Sequence, residues 1–294
     1  MRLAVVGSIN MDMVITAERI PLKGETVRGS NVSFYPGGKG ANQAVAMARL
    51  GAEVAMFGCV GADDSGQKVL KNLEKEGILI KQIQVLKEVP TGTAMITIGE
   101  NDNTIVVVPG ANEKVDRAYV DEVKHELKDF DMVVLQQEIS LDTVHYVVDF
   151  CSQNHIPVAL NPAPAAKVPM EVVDKVSYLT PNEHEARLIF GDHVPVEQLL
   201  RKYPEKLIIT QGAKGVTTCL KSGEIVTVPA HPAKVVDTTG AGDTLNGAFC
   251  VQIAAGADVR SALVYGNAAA GLSIEKFGAQ SGMPSAQEVE KVLK

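Results

Sequence analysis

Short apolar runs alternate with helix-like patterns along most of the 294-residue chain. The apolar runs are short and nearly continuous, which is typical of strands that are buried on both faces. They lie at residues 3–9, 54–60, 132–136, 158–161, 177–180 and 207–210. Helical periodicity predicts helices over residues 41–50, 66–76, 116–128, 141–153, 183–190, 242–255, 259–276 and 286–293. Strands that alternate with helices predict an α/β fold with a mostly parallel sheet and helices on both of its faces.

Two segments, residues 21–35 and 93–108, have strand-like alternation but no following helix. In the second, the apolar stretches 93–98 and 104–108 flank a polar turn at 99–103, which predicts a β-hairpin. Together the segments predict a small antiparallel sheet outside the main layer, serving as a lid over a site or as a surface for a second subunit. The alternative is that they add edge strands to the main sheet.

Composition narrows the classes of partner. The chain has 28 Lys and Arg against 35 Asp and Glu, a formal net charge of −7, with 4% aromatic residues and no Trp. Nucleic-acid binding proteins need a basic face and often aromatic stacking platforms, so we expect no nucleic-acid partner. No apolar run reaches the roughly 18 residues of a membrane span, and the apolar N-terminal run is too short for a secretion signal. Four cysteines without a CxxC pair indicate free thiols, and we expect a cytoplasmic protein.

The segment from residue 237 to residue 244, DTTGAGDT, carries the strongest chemical signal. Its glycines lead into a predicted helix, where free backbone N–H groups and the helix dipole attract anions. Gly240, Ala241 and Gly242 would form an anion hole for a transferring phosphoryl group. Asp243, in the first turn, would take the proton of an acceptor hydroxyl. The alternative is that Asp243 only caps the helix.

Two better-known phosphate motifs do not fit. Leu245 stands where a dinucleotide fingerprint has its third glycine, so the segment gives no support for a dehydrogenase. Gly40 follows Lys39, where a Walker-type loop has Ser or Thr.

Two further segments combine glycines with polar side chains. In residues 37–44, GGKGANQA, glycines again enter a helix, and Lys39 and Asn42 offer hydrogen bonds to a polyhydroxylated ligand. In residues 7–12, GSINMD, Asn10 and Asp12 follow the first predicted strand, and ligands of open α/β sheets bind at that end. Asn10 and Asp12 share one face of an extended chain and can bind neighbouring hydroxyls. The alternatives are an exposed lysine at a helix start and an Asn/Asp turn.

Residues 37–50 resemble the first signature of the PfkB carbohydrate-kinase family, and residues 237–249 resemble the second, in the same order and with a similar wide separation. Residues 7–12, and the sequence PAPA after Asn161, narrow the resemblance to the ribokinase branch. The resemblance covers nearly the whole chain. It implies a ribokinase-like three-layer α/β/α sandwich, in which residues 1–294 form one catalytic domain with lid segments at about 13–36 and 91–109.

The resemblance also implies site residues. Those that would hold the sugar are Asn10, Asp12, Gly38, Lys39, Gly40, Ala41, Asn42, Glu138 and Asp243. Those that would hold the nucleotide are Asn182, Glu185, Thr210, Gln211, Gly212, Ala213, Lys214, Gly215, Gly242 and Asn267, with Glu185 organising Mg2+. A monovalent cation, K+, would lie beside the anion hole near Asp237, Thr239, Ser273, Lys276, Gly278 and Gly282, bound mostly by backbone carbonyls. On sequence alone, Glu185 also fits an ordinary exposed helix glutamate.

The implied reaction is transfer of the ATP γ-phosphate to the 5-hydroxyl of D-ribose, in a homodimer that pairs through the lid. Leu245, where many relatives carry Phe, departs from the pattern but touches no expected ligand. Because lid segments vary within the family, deoxyribose, fructose, a nucleoside or pseudouridine stays open as the acceptor. A non-catalytic sugar-binding protein is a further alternative, although the expected base and anion hole are intact.

Overall fold

The computed structural model describes residues 1–100 and 102–294. Its strands, in chain order, are β1 (Arg2–Val6), β2 (Asn10–Ala17), β3 (Gly29–Gly37), β4 (Glu53–Gly61), β5 (Ile83–Leu86), β6 (Gly92–Gly99), β7 (Asp102–Val108), β8 (Met132–Leu135), β9 (Val158–Leu160), β10 (Tyr178–Leu179), β11 (Ile208–Thr210), β12 (Val216–Cys219) and β13 (Ile225–Val228). Its α-helices are α1 (Lys39–Arg49), α2 (Asp64–Lys75), α3 (Arg117–Val123), α4 (Leu141–Gln153), α5 (Met170–Lys175), α6 (Glu183–Phe190), α7 (Val196–Lys202), α8 (Ala241–Ala254), α9 (Val259–Ser273), α10 (Ala279–Gly282) and α11 (Ala286–Leu293).

The central sheet is mostly parallel, as the alternating pattern predicts. Six strands pair in parallel in the order β10–β9–β8–β1–β4–β5. Bridges from Leu179 to Leu207 and from Asn182 to Thr210 connect this sheet to β11. From there β12 and β13 continue in antiparallel pairing.

Two hydrophobic cores lie on opposite faces of this sheet. Successive strand residues point to opposite faces, so Leu3 and Val5 of β1 enter one core while Ala4 and Val6 enter the other. The first core is covered by α1, α8 and α9, and the second by α3, α4, α5 and α7. These layers confirm the predicted three-layer α/β/α sandwich.

A separate four-stranded sheet has the order β3–β2–β6–β7. The pairs β2–β3 and β6–β7 are antiparallel, and β2 joins β6 in parallel. The hairpin predicted over residues 93–108 is therefore formed, although Asn101 of its turn lies outside the described residues. Every residue of β7 is exposed. The alternative of extra edge strands on the main sheet is wrong, because this sheet pairs only within itself among the described residues.

Several predicted boundaries move. The run at 3–9 ends as a strand at Val6, residues 7–9 belong to no strand, and β2 starts at Asn10. The predicted helix at 116–128 is α3 followed by a 3₁₀ turn at Lys124–Asp129, and the helix predicted over 259–276 ends at Ser273. Within residues 1–100 and 102–294, no helix has both the length and the apolar character to cross a bilayer.

Candidate active site

The N-terminus of α1 packs directly on the backbone that leaves β1. A Cβ on Gly40 would lie 2.7 Å from the backbone nitrogen of Ser8, and one on Gly38 would lie 2.9 Å from that of Asn10. Gly38 also has a φ of +87°, which favours glycine. These glycines therefore let the chain bring Lys39 and Asn42 against residues 8–12.

Asp243 lies in the first turn of α8 and faces α1. Asn42 Nδ2 donates to Asp243 Oδ2 at 3.0 Å, and Gln43 Nε2 donates to Oδ1 at 3.1 Å. The side chain is only 6% exposed. Burial raises the pKa of Asp243, while the Lys39 charge and the two amide hydrogen bonds favour its ionised form. The segments that carry the predicted base and the predicted sugar residues therefore meet in one buried contact.

Two more carboxylates lie beside this contact. Glu138 Oε2 accepts from Ser8 Oγ at 2.6 Å and from the Lys39 backbone N–H at 2.9 Å. Burial, followed by the charges of Glu138 and Asp243, raises the pKa of Asp12 to about 7. Oδ1 of Asp12 is buried, with no hydrogen-bond partner in the described part of the chain. A sugar hydroxyl would supply the donor that this oxygen lacks.

Lys39 balances part of this negative charge. The charge of Asp243, with smaller contributions from Glu138 and Glu185, raises the pKa of the Lys39 ammonium even though burial works against it. The alternative of a solvent-exposed lysine does not fit, because the Lys39 ammonium is desolvated and close to these three carboxylates. Asn10 lies two residues before Asp12 on β2. Its side chain is held by Asn112, whose Nδ2 donates to Asn10 Oδ1 at 2.7 Å.

A cavity of about 490 Å³ opens at the N-terminus of α8. Of the residues expected to hold a nucleotide, Thr210, Gly212, Ala213, Gly215, Gly242 and Asn267 line it. The Asn267 amide donates to the carbonyls of Val228 and Pro229, both at 2.9 Å, and so holds the chain that leaves β13. His231 and Leu245 also line the cavity, so Leu245 lies against the space expected to hold the nucleotide, contrary to the expectation that it touches no ligand.

Four of the expected nucleotide residues do not line this cavity: Asn182, Glu185, Gln211 and Lys214. Gln211 instead donates to Glu183 Oε1 at 3.1 Å and accepts from Thr217 Oγ1 at 2.7 Å. Lys214 lies on the 3₁₀ turn Gly212–Lys214 beside the cavity.

Asn182 and Glu185 form a capping box at the start of α6. The Glu185 N–H donates to Asn182 Oδ1, and the Asn182 N–H donates to Glu185 Oε2, both at 2.8 Å. The alternative of an exposed helix glutamate is wrong, because Glu185 is 6% exposed. Burial raises its pKa despite the hydrogen bond from Asn182 and the Lys39 charge. The box uses Oε2 of Glu185, and Oε1 accepts no hydrogen bond from the described residues.

The residues expected around a monovalent cation come from three converging segments. Asp237 Oδ1 accepts from the Thr239 N–H at 2.9 Å and from its hydroxyl at 2.7 Å, while Oδ2 accepts from the Gly278 N–H at 2.8 Å. Partial burial opposes ionisation of Asp237, but these hydrogen bonds outweigh it and lower the pKa. A Cβ on Gly282 would lie 2.0 Å from the Ser273 carbonyl oxygen. Lys276 lies on the segment between α9 and α10.

Potassium prefers oxygen ligands such as backbone carbonyls. The Asp237 carboxylate and the Ser273 carbonyl are oxygen groups of the kind that K+ binds, and both Asp237 oxygens already accept hydrogen bonds within the chain.

Sequence reasoning missed the amides and hydroxyls that surround these residues. They include Ser8 and Asn112, which hold Glu138 and Asn10, and a set around Asp243 that comprises Gln43, Gln136, Asn161, Thr180, Asn246 and Gln280. The available signal was polar residues at positions where the pattern demands burial. Gln43 stands among alanines and Val45 in α1, and Gln136 directly follows the apolar strand β8.

Comparisons with known proteins agree on the family. The profile of the pfkB family carbohydrate kinases matches residues 1–286. The ribokinase of Bacillus subtilis (strain 168) is 46% identical over 291 residues, covering 99% of each chain. The ribokinase of Thermotoga maritima is 35% identical with a TM-score of 0.89, covering 99% of this chain and 98% of that one. The Arabidopsis thaliana ribokinase complexed with ribose and ATP is 30% identical with the same TM-score and the same coverage. The chain therefore belongs to the pfkB family of carbohydrate kinases.

Proposed function

We propose that this chain transfers the γ-phosphoryl group of ATP to the 5-hydroxyl of D-ribose, giving D-ribose 5-phosphate and ADP. One observation carries the proposal. Asp243 lies buried between a cluster of sugar-type ligands and a cavity of about 490 Å³ at the N-terminus of a 14-residue helix. The full-length similarity to ribokinases supports both substrates.

The acceptor is held by Asn10, Asp12 and Glu138. Asp12 offers a buried, unpartnered oxygen among the described residues, and its pKa of about 7 falls when hydroxyl donors stabilise the ionised form. Asn10 and Asp12 stand two residues apart on β2 and so bind neighbouring ring hydroxyls. This spacing favours an acceptor with adjacent hydroxyls, such as ribose, over 2-deoxyribose.

Asp243 acts as the base. As the 5-hydroxyl oxygen attacks the γ-phosphorus, its proton moves to the Asp243 carboxylate, and the bond from the γ-phosphorus to the oxygen of ADP breaks. The backbone N–H groups of Gly240 and Gly242 stabilise charge on the transferring group. The Ala241 N–H, also expected in the anion hole, donates to the Thr238 carbonyl at 3.2 Å instead. Gly240 has a φ of +80°, which aims the following amides along the axis of α8.

Two ions complete the proposed site. Glu185 would hold Mg2+ through its water shell together with the nucleotide phosphates, where the ion supplies charge neutralisation. The segments around Asp237 and Gly278 would hold K+, which fixes the backbone that precedes the anion hole. The ATP base and ribose would occupy the cavity beside Asn267 and Gly212.

The four-stranded sheet is proposed to act as a lid and as a dimer surface. Asn10 and Asp12 belong to β2 of this sheet, so its movement changes the acceptor site directly. Closure over the sugar would exclude water as a competing acceptor. The exposed apolar side chains of β7 would be covered by a second copy of the chain. We also propose a reducing, cytoplasmic location, supported by four buried free thiols.

The test is ADP release from ATP with D-ribose, Mg2+ and K+, comparing the natural chain with Asp243→Asn. We expect turnover to fall by at least about 1,000-fold in the variant, while ribose and ATP still bind by calorimetry. Activity that survives in Asp243→Asn would remove Asp243 as the base. A panel with 2-deoxyribose, fructose and nucleosides tests the acceptor, and turnover of 2-deoxyribose equal to that of ribose would contradict the roles of Asn10 and Asp12.

A further inference from the structure

We propose that Gln43 is the positioning residue of Asp243, and that Gln136 fixes Gln43 in turn. The inference rests on the proposed role of Asp243 as the base. It assigns the orientation of the base to α1, the helix that also carries Lys39 and Asn42 toward the sugar.

The orientation of the Gln43 amide is determined by its neighbours. Gln136 Nε2 donates to Gln43 Oε1 at 2.7 Å, so the NH2 group of Gln43 must point the other way. It does so toward two acceptors, Asp243 Oδ1 at 3.1 Å and Asn161 Oδ1 at 3.2 Å. A flipped amide would set oxygen against oxygen at both contacts and NH2 against NH2 at Gln136. Only one orientation of Gln43 therefore satisfies all three neighbours.

The relay is buried along its length. Gln43 and Gln136 are both 0% exposed, and Asn161, whose NH2 donates to the Thr180 carbonyl at 3.2 Å, is 8% exposed. Gln136 Oε1 has no hydrogen-bond partner among the described residues, so Gln136 is held through the single bond from its Nε2 to Gln43. Loss of a partner from a buried amide is costly, which favours keeping this bond. Gly7 makes room for the relay, because a Cβ there would lie 2.3 Å from Gln136 Oε1.

The geometry leaves Asp243 ready for a substrate proton. A carboxylate has about four acceptor directions, of which Asn42 takes one on Oδ2 and Gln43 takes one on Oδ1. Both donors come from consecutive residues of one helix, which fixes the plane of the carboxylate. The remaining acceptor directions carry no hydrogen bond from the described residues, and the proposed acceptor hydroxyl would use one of them. Without Gln43, Asp243 can rotate about χ2, and the alignment needed for proton transfer is lost.

The experiment compares Gln43→Met, which keeps the approximate side-chain volume but removes the amide, with the natural chain over pH 5–9. We expect kcat for ribose phosphorylation to fall about 10- to 100-fold with KM for ribose changed less than about 3-fold. The acid limb of the kcat profile should move up by at least about half a pH unit, since a donor to the carboxylate is lost. Lys39, Glu138 and Asp12 also face Asp243 and remain unchanged in the variant.

Three further variants separate the possible outcomes. Gln136→Met leaves Gln43 in place but frees its amide, and should lower kcat about 3- to 10-fold with the same direction of pH shift. This variant keeps the proposal testable if Gln43→Met does not fold. Gln82→Met removes another buried amide, whose hydrogen bond goes to Glu126 and not to the relay, and it should leave kcat and the pH profile unchanged. Natural kcat and an unmoved acid limb in Gln43→Met, alongside an inactive Asp243→Asn, would overturn this inference alone. An active Asp243→Asn would instead overturn the proposed base.

Discussion

Gly37 on β3 leaves room for the carboxylate of Asp12 on β2: a Cβ on Gly37 would lie 2.2 Å from Oδ2 of Asp12. The missing side chain lets the carboxylate fold against the neighbouring strand. There it is buried close to two other acidic groups, Glu138 and Asp243. The ionised form of Asp12 is therefore unfavourable in the ligand-free protein, and a ligand that donates a hydrogen bond to the carboxylate would stabilise it.

This arrangement predicts that Asp12→Asn stabilises the ligand-free protein above neutral pH while weakening ribose binding. The pKa of Asp12 is raised from 3.8 to about 7 in the folded chain, so the unfolded chain releases its proton first as pH rises. Stability is therefore lost between about pH 4 and pH 7, by up to about 2–4 kcal/mol. Thermal unfolding of both proteins at pH 5 and pH 8 should show the variant gaining at pH 8 only, and calorimetry should show ribose binding weakened at least about 10-fold.

Asp63→Asn is the matched control, because its shift has the opposite sign. Burial opposes ionisation of Asp63, but hydrogen bonds from Thr91 and the Gly66 N–H outweigh it and lower the pKa. That stability is present above about pH 4 and is lost as pH falls. Asp63→Asn should therefore lose stability at pH 8. If Asp12→Asn also loses stability at pH 8, the burial argument for Asp12 is wrong.

Substitutions of Gly242 and Gly240 in the anion hole are predicted to differ in their effect on stability, although both should lower activity. A Cβ on Gly242 meets nothing within 4 Å, and Gly242 lines the cavity expected to hold ATP. Gly242→Ala should leave the free energy of unfolding unchanged or raise it by about 0.5–1 kcal/mol, because alanine is favoured over glycine inside a helix. The added methyl group would fill space expected to hold a phosphate, so kcat/KM for ATP should fall at least about 10-fold.

Gly240→Ala should act on the fold as well. Gly240 has a φ of +80°, and a Cβ would lie 2.9 Å from Ala279 Cα. We expect Gly240→Ala to lower the free energy of unfolding by about 1–3 kcal/mol and also to lower activity. Equal activity in Gly242→Ala and the natural chain, with ATP as the varied substrate, would show that the γ-phosphate does not approach this backbone.

The sequence was sufficient for the parts of the fold that repeat a strong physical pattern. The strands β1, β4 and β8 are buried on both faces, and their continuous apolar runs mark them without ambiguity. By contrast, β12 and β13 are only four residues long and contain Thr among their apolar residues, and α7 is only seven residues long. None of these three elements stands out from loop composition. β2 was missed because polar Asn10 and Asp12 occupy its start, where the site needs them.

The candidate site divides in a similar way. Glycines at helix starts identify the backbone at Gly38 and Gly240, because few other residues fit those conformations. The amides of Gln43 and Gln136 have no comparable local signal in the sequence, because each is hydrogen-bonded to a partner 93 residues away. The contact of Tyr35 on β3 with Phe277, at a ring separation of 5.9 Å, also joins segments that sequence treats as unrelated. Long-range pairing of this kind requires the three-dimensional structure.

Asp237 is predicted to couple the monovalent cation to catalysis. Its carboxylate accepts hydrogen bonds from Thr239 and Gly278, and so connects the loop before the anion hole to the turn before α10. Asp237→Asn removes the charge and one acceptor, so we expect the K+ concentration for half-maximal rate to rise at least about 10-fold. The measurement is the rate of ADP release against KCl, with choline chloride holding ionic strength constant.

Two results would contradict this role. The natural chain working equally well in choline chloride would remove the cation from the proposal. A K+ response in Asp237→Asn equal to that of the natural chain would keep the cation but move its site elsewhere. Asp258→Asn, which changes the exposed cap of α9, serves as the control and should leave the K+ response unchanged.

The outer strand β7 is predicted to hold the homodimer together. Ile105, Val106 and Val107 are between 49% and 63% exposed, and β7 has a free edge among the described residues, which leaves an apolar strand ready to pair. Val106→Lys should convert a dimer to a monomer in light scattering coupled to size exclusion at micromolar concentration, because a buried charge without a partner opposes association. Val264→Lys adds the same charge at a position on α9 that is 41% exposed and lies outside the four-stranded sheet, and it should leave the mass unchanged. A natural chain that elutes as a monomer at all concentrations, or a Val106→Lys variant that remains dimeric, would show that β7 is not the dimer surface.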